Sequence, residues 1–387
     1  LNKIINLGCK VNQYEGYCLL KKFKDEKNVV IVNTCCVTHE AELKSLKKYR
    51  AAMRRYPNSR IIVTGCTCTL FPSKFKDADT IIDLETRNAF IQGVYPESGR
   101  SRYFLKIQDG CTSSCTYCIV AKVRNRIESK AVSDILEEIN QAVKNGFHEV
   151  VLVGANIGLY GAERGERLID LLHTLARVSN LPRIRLSSIE PQFVTDELLH
   201  GMNDIPICRH FHIPIQSADD SVLKAMGRAY SQQYLYDMVD RIRSTFDSVM
   251  LGADVIVGFP NEGEQEFLHT YQLIDALEFA HVHVFPYSPR PLTSAFSYGD
   301  RVSADIKRAR RNRLVQCVTE HNLEFRKQMI GRMFDVIIEK EGRRSTGLTD
   351  NYVRVSVDKK CALHSLVRVV IADADTEQTI GHLSVDA

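Results

Sequence analysis

Short apolar runs alternate with stretches of helical periodicity along most of the chain. Residues 3–7, 29–32, 61–64 and 80–83 read as strands, with helices over 14–24 and 40–56 between them. A strand-then-helix rhythm predicts a small parallel-sheet α/β domain over 1–100. The rhythm restarts near Arg102. Strands are expected at 103–108, 149–153, 183–187, 210–214, 250–257 and 281–285, with helices at 132–144, 167–179, 195–202, 221–226, 234–245 and 265–277. Ser133 and Asp134 precede one apolar-periodic run and are expected to cap it. Six such units over 101–328 predict a partial (β/α)6 barrel, with functional loops at the strand C-termini. A polar helix over 303–330 follows. Short strands at 334–339, 352–357, 365–371 and 379–383 then predict a small β-barrel over 329–387. The fold class expected is α/β.

Composition changes this picture little. The 387 residues are 44% hydrophobic and 25% charged, with a net charge of +4, which by itself makes no case for nucleic acid. No apolar run reaches the length of a membrane span, and the opening Leu1-Asn2-Lys3 leads straight into a strand. A cytoplasmic protein with no membrane partner is expected.

Cysteine changes it more, because twelve is a large number for a reducing compartment, where clustered thiols bind metal or do chemistry. Asp109-Gly110-Cys111-Thr-Ser-Ser-Cys115-Thr-Tyr117-Cys118 offers three thiolates to one centre. A structural zinc site wants four. Three suit a [4Fe–4S] cluster with one iron open to a small molecule, which makes a catalyst the expectation. Cys9, Cys35 and Cys66 each follow a predicted strand of the first domain. The C-termini of parallel strands share one edge, so these three converge as a second set. Cys36 and Cys68 read as spare thiols or alternative ligands. Cys208, Cys317 and Cys361 stand alone and read as buried small hydrophobes.

These residues resemble the methylthiotransferase family of radical S-adenosylmethionine (SAM) enzymes over the whole chain. Asn6-Leu7-Gly8-Cys9-Lys10-Val11-Asn12-Gln13-Tyr14-Glu15 looks like the opening of the tRNA threonylcarbamoyladenosine branch. Asn33-Thr34-Cys35, Thr64-Gly65-Cys66, Ile189-Glu190-Pro191, the run 208–217, Asp254–Pro260 and His283–Ser288 continue the match. The C-terminal barrel is similar to the RNA-binding TRAM module. The resemblance implies a tRNA-modifying enzyme that inserts a methylthio group at C2 of N6-threonylcarbamoyladenosine beside the anticodon. It implies two [4Fe–4S] clusters, with SAM as both radical source and methyl donor. Cys111, Cys115 and Cys118 would hold the cluster that cleaves SAM, and Cys9, Cys35 and Cys66 the cluster that supplies sulfur. A low-potential electron donor and a sulfur source are implied partners.

The same resemblance places SAM contacts at Gly154 and Asn156 and at Gly252, Ile256 and Gly258, while His212 and Gln216, at a strand end, read as contacts to SAM or to the substrate, and Tyr117, beside a cluster ligand, as packing against the cofactor. Each has a plainer reading as a turn glycine, a packed strand-end side chain or a shield for the cluster. Arg124 and Arg126 are expected to grip RNA; in the barrel, Tyr352 and Arg354 read as groups that stack on or pair with RNA, or Tyr352 as a core tyrosine. Basic runs at Lys44, Lys47, Lys48, Arg50, Arg54 and Arg55, and at Lys307, Arg308, Arg310, Arg311 and Arg313, read as phosphate contacts or as solvated faces. The chain departs from the family pattern at Ala121, Arg124-Asn125 and Glu128, at Asn261 and Gly263, and at Leu292 and Ser294, where a glycine and a proline are usual. The alternatives are methylthiolation of isopentenyladenosine or of a ribosomal protein, and, in a different class, a non-catalytic RNA-binding iron–sulfur protein.

Overall fold

The computed structural model describes residues 2–384; Leu1 and 385–387, at the outer edges of the first and third expected segments, lie outside them. Lys3–Asn6, Val29–Thr34, Arg60–Gly65 and Thr80–Ile82 form a parallel sheet in that order, and Val29–Thr34 is buried throughout. Asn6, Asn33 and Thr64 lie level across the sheet, so the chain leaves three strands at one edge. Helices Lys10–Lys22 and His39–Arg55 pack against the strands. The first begins four residues before the expected start, because Cys9 serves as its N-cap.

Six further strands form two parallel three-stranded sheets: Tyr103–Lys106, Glu149–Val153 and Arg183–Leu186, then His210–Gln216, Met250–Val257 and His281–Pro286. The sheets meet through one bridge between Ile184 and Ile207, which makes an open half-barrel of the expected kind. Leu105, Leu152, Ile184, Phe211, Ile213 and Leu251 share one core with the surrounding helices. Helix Val132–Lys144 has the expected bounds, but its N-cap is Ala131. Ser133 and Asp134 sit inside the first turn, where Asp134 complements the helix dipole instead of capping it.

Helix Ala304–Lys327, capped by Ser303, leads to a closed five-strand barrel. One of its strands, Ser345–Thr349, is absent from the sequence expectation, because a Ser-Thr-Gly-Leu-Thr run carries almost no apolar alternation. The barrel docks on the base of the half-barrel. Arg183 donates to the carbonyls of Asp335 (2.8 Å) and Leu348 (3.0 Å), and Arg185 to those of Asp350 (2.9 Å) and Thr349 (3.1 Å). Both arginines also pair with buried Glu149, at 2.7 Å each. Among the described residues no helix is long and apolar enough to cross a membrane.

Candidate active site

The first cysteine loop leaves the strand pair at Gln108–Asp109 through Gly110, whose φ is +83°. A Cβ at Gly110 would lie 1.7 Å from the Arg126 carbonyl oxygen, so only glycine fits. Backbone bonds then fix the loop: Cys111 N–H to Arg124 O (2.8 Å), Thr116 N–H to Met226 O (3.0 Å) and Ala295 N–H to Thr116 O (2.8 Å). The three cysteines are half-buried and free of disulfides. Burial pushes the Cys115 thiol up and the Cys118 thiol to about 11, so as free thiols both are protonated.

In the second set, Cys35 and Cys66 are buried and Cys9 is solvent-accessible. Gly8 adopts φ +91°, and a Cβ there would come within 3.0 Å of Cys35 Sγ, so the first two strand ends meet where glycine allows it. Ser45 Oγ accepts from Cys35 N–H (3.0 Å) and donates to Cys35 O (3.1 Å). Cys36 lies against Cys66, and its hydrogen bond holds the Cys66 thiol down while Cys36 itself is pushed up. Cys68 turns away, its thiol 3.3 Å from the Gly65 carbonyl. Cys208, Cys317 and Cys361 are buried, as expected.

The two sets adjoin. Cys36 and Cys66 share an apolar cluster with Ile119, the residue after Cys118, and with Val123. The donor spacing bears on what each set could hold. Thiolates on one tetrahedral zinc stand about 3.8 Å apart. Among the described residues, the triads of metal-binding side chains with all donors within 4.8 Å are His212–Asp254–His283 and Asp275–Cys317–His321; neither cysteine set is among them. The wider spread suits a multi-iron cluster, in which each thiolate takes a different iron.

A buried ion network locks the sets together. Glu15 binds Arg87, Lys106 and Arg124, the last at 3.0 and 2.6 Å, while Asp109 takes Arg124 and Lys106, each at 2.5 Å. Burial pushes the Glu15 carboxyl up, but Arg124, Arg87 and Lys106 outweigh it and hold it below the usual range. This corrects the expectation for Arg124. Its guanidinium is buried and committed to two carboxylates, so it offers nothing to a phosphate. No periodicity could have announced the network, in which the partners of Glu15 stand 72 to 109 residues away.

Of the residues expected at SAM, Asn156 lies nearest the first loop. Its N–H donates to Gln108 (2.9 Å), its Nδ2 is 4.0 Å from Cys111 Sγ, and its buried Oδ1 has no partner. An orphaned acceptor beside an open cluster site fits a small polar ligand. A Cβ on neighbouring Gly154 would come within 2.8 Å of the Gln108 side chain. Tyr117 and Ile256 pack in one apolar cluster with Phe259 and Tyr287. Arg228 donates to the Tyr117 hydroxyl (2.6 Å) and to Glu190 (2.8 Å), a brace that the sequence reading missed. Gln216 ends its strand at φ +64°. Gly258 differs from expectation: a Cβ would strike the buried Lys307 side chain at 2.4 Å, so the bare face of this glycine meets lysine. The bare face of Gly252 likewise meets the His281 carbonyl, 2.9 Å from where a Cβ would sit.

Deeper in the half-barrel, His212 Nε2 and His283 Nδ1 lie 2.9 and 3.1 Å from the same Asp254 oxygen. Burial pushes Asp254 up, yet these two hydrogen bonds hold it far below the usual range. At the base, His210 stacks on Tyr352 with ring centroids 4.2 Å apart, and burial keeps both His210 and His281 neutral, His281 at about 4. Tyr352 therefore serves the seam between barrel and core. Burial, with Arg102 and Arg185 nearby, holds the Lys10 ammonium down at about 8.

Arg126 is 83% exposed at its side chain and pairs with Glu128; Arg354 is also exposed, paired with Glu339. Lys44, Lys47, Lys48, Arg50, Arg54 and Arg55 are exposed on their helix. The second basic run differs, since Lys307 and Arg310 point inward and Arg310 pairs with Glu262 at 2.7 Å.

Three thiols on the loop after the first strand of a six-strand half-barrel define a radical SAM protein. Residues 105–274 match the Radical SAM superfamily, and residues 2–85 match Uncharacterized protein family UPF0004. A radical SAM methyltransferase, TsrM from Kitasatospora setae, shares the fold at a TM-score of 0.54 and 12% identity, covering 72% of this chain and 67% of that one. The threonylcarbamoyladenosine tRNA methylthiotransferase MtaB of Thermotoga maritima is 34% identical over 373 residues, 87% of this chain and 86% of the relative. MtaB of Bacillus subtilis is 32% identical, covering 90% and 88%. A tRNA-2-methylthio-N(6)-dimethylallyladenosine synthase of a Thermoanaerobacter species is 28% identical, covering 90% and 84%. The chain belongs to the MtaB-like branch of the radical SAM tRNA methylthiotransferase family. It is a radical SAM enzyme, and its family works with SAM and a [4Fe–4S] cluster.

Proposed function

We propose that this enzyme inserts a methylthio group at C2 of N6-threonylcarbamoyladenosine, next to the anticodon of tRNA. Cys111, Cys115 and Cys118 hold one [4Fe–4S] cluster and Cys9, Cys35 and Cys66 a second. When bound, the first supplies the electron that cleaves SAM and the second carries the sulfur, which a further SAM methylates. The observation that carries this reading is that the two cysteine sets adjoin, Cys66 of one packing in an apolar cluster with Ile119, the residue after Cys118 of the other.

The chain's own residues do the positioning. Asn156, through its unpartnered Oδ1, and Tyr117, braced by Arg228, orient SAM at the first loop, with Gly154, His212, Gln216 and Ile256 lining the approach. The Glu15–Arg124–Asp109 network holds the two sets at a fixed separation. Residues 1–100 carry the sulfur site, 101–328 the radical site, and 329–387 an RNA-binding barrel. Arg126, Arg354 and the exposed basic face of helix His39–Arg55 meet the tRNA backbone. A low-potential electron donor and a sulfur source complete the cycle, in the cytoplasm where tRNA is found.

Mass spectrometry of tRNA nucleosides from cells lacking the protein tests this. Loss of the 2-methylthio group from threonylcarbamoyladenosine is the expected result. Its loss from isopentenyladenosine instead, or an unchanged profile, overturns the substrate assignment.

A further inference from the structure

We propose that Asp275, Cys317 and His321 form a zinc site between two helices that cover the half-barrel, apart from both cysteine sets, and that the ion ties the helix leading to the C-terminal barrel onto its neighbour.

Cys317 and His321 stand one turn apart on helix Ala304–Lys327, and the i, i+4 spacing puts both side chains on one face. That face meets helix Glu264–Ala276, whose last turn brings Asp275 against them. Cys317 Sγ lies 3.4 Å from Asp275 Oδ1 and 3.8 Å from His321 Nε2, and that nitrogen lies 3.1 Å from the same carboxylate oxygen. All three donors fall within 4.8 Å of one another. Cys317 is buried and forms the floor, while the His321 side chain is 16% exposed and that of Asp275 57%. An ion therefore reaches the donors directly from solvent.

The spacing is that of a coordination shell. Zinc binds thiolate sulfur at about 2.3 Å, imidazole nitrogen at about 2.0 Å and carboxylate oxygen at about 2.1 Å. At tetrahedral angles the S···O, S···N and N···O edges then measure about 3.6, 3.5 and 3.4 Å, and the three edges here agree with them to within about 0.3 Å. A thiolate beside an imidazole selects zinc-like ions over magnesium and calcium, which prefer oxygen ligands. Cys317 gives up its proton to solvent when the ion binds, and a water fills the fourth position. The other end of helix Glu264–Ala276 is already held, because Glu264 pairs with Arg313 at 2.6 Å. Beside His321, Asn322 donates to the Ala280 carbonyl (3.0 Å), just before strand His281–Pro286. Zinc at Asp275 would fix the second end of the same seam.

The test uses anaerobically reconstituted enzyme, in which iron occupies the cluster thiols. Wild type, Cys317→Ser, His321→Ala and Asp275→Ala are each equilibrated with stoichiometric zinc chloride, desalted and analysed by plasma mass spectrometry. Wild type should hold about one zinc per chain, and the three variants close to none. X-ray absorption at the zinc edge should show one sulfur at about 2.3 Å, with nitrogen and oxygen at about 2.0–2.2 Å completing the shell. Zinc should also raise the thermal unfolding midpoint of wild type and leave that of His321→Ala in place. Should Cys317→Ser fail to fold, the two variants nearer the surface carry the comparison. Absence of zinc from wild type, zinc retained by either His321→Ala or Asp275→Ala, or a shell of three sulfurs, which would put the ion in a cluster site, overturns the proposal.

Discussion

Arg124 and Arg126 stand two residues apart, and the structure gives them opposite tasks. Replacing Arg124 with Ala removes a guanidinium that contacts Asp109 at 2.5 Å and Glu15 at 3.0 and 2.6 Å, all buried. Breaking a buried ion pair costs about 3–5 kcal/mol. Arg87 and Lys106 remain on Glu15, and Lys106 on Asp109, so the loss should fall near 3 kcal/mol, at the low end of that range. The assay is urea unfolding of the apo chain, with the midpoint shift multiplied by m. Iron content after reconstitution should fall too, because the side chain ties Glu15, on the helix after Cys9, to Asp109, two residues before Cys111. The salt dependence of tRNA affinity should not change. Arg126→Ala should do the reverse, leaving stability and iron intact while reducing the salt slope by about one. If Arg124→Ala lowers the salt slope and leaves the unfolding midpoint in place, the network assignment is wrong.

Other consequences can be measured on the same preparations. Gly110→Ala should displace the cluster loop, since its Cβ would overlap the Arg126 carbonyl; loss of about half the reconstituted iron, one cubane of two, is the expected readout. Leu292 holds φ +72° while half exposed, at the position where its family usually has glycine. Leu292→Gly should therefore stabilise the chain by about 1 kcal/mol in urea, the strain of a left-handed non-glycine residue. His210 and His281 titrate near 6.5 in the unfolded chain, but burial lowers both when folded, His281 to about 4. The unfolded chain then binds more protons, so stability should fall as pH drops from 6.5 toward 4. His210→Phe, which keeps a ring against Tyr352, should flatten that fall; an unchanged decline would remove His210 from its cause.

Much of the fold was legible because parallel strands in a covered sheet are near-continuous apolar runs. Glu149–Val153 and Met250–Val257 have the expected bounds for that reason. The strand Ser345–Thr349 was not legible, since Gly347 is placed by the Ile337 carbonyl, 2.4 Å from where a Cβ would sit, and not by hydrophobic alternation. The cysteine sets could be found from topology: three residues at the ends of adjacent parallel strands share an edge whatever separates them in sequence. Charge gave less. Lys307 and Arg310 read as surface until their partners, Asp300 and Glu262, are seen.

The proposed reaction divides its labour between the two cysteine sets, and one experiment separates them. Anaerobically reconstituted wild type should hold about eight irons, and each triple alanine variant, at Cys111, Cys115 and Cys118 or at Cys9, Cys35 and Cys66, about four. With reductant and SAM, the Cys9/Cys35/Cys66 variant should still release 5′-deoxyadenosine but attach no methylthio group to the RNA. The Cys111/Cys115/Cys118 variant should release none. A Cys9/Cys35/Cys66 variant that still makes methylthiolated product, or a Cys111/Cys115/Cys118 variant that still cleaves SAM, would contradict the account.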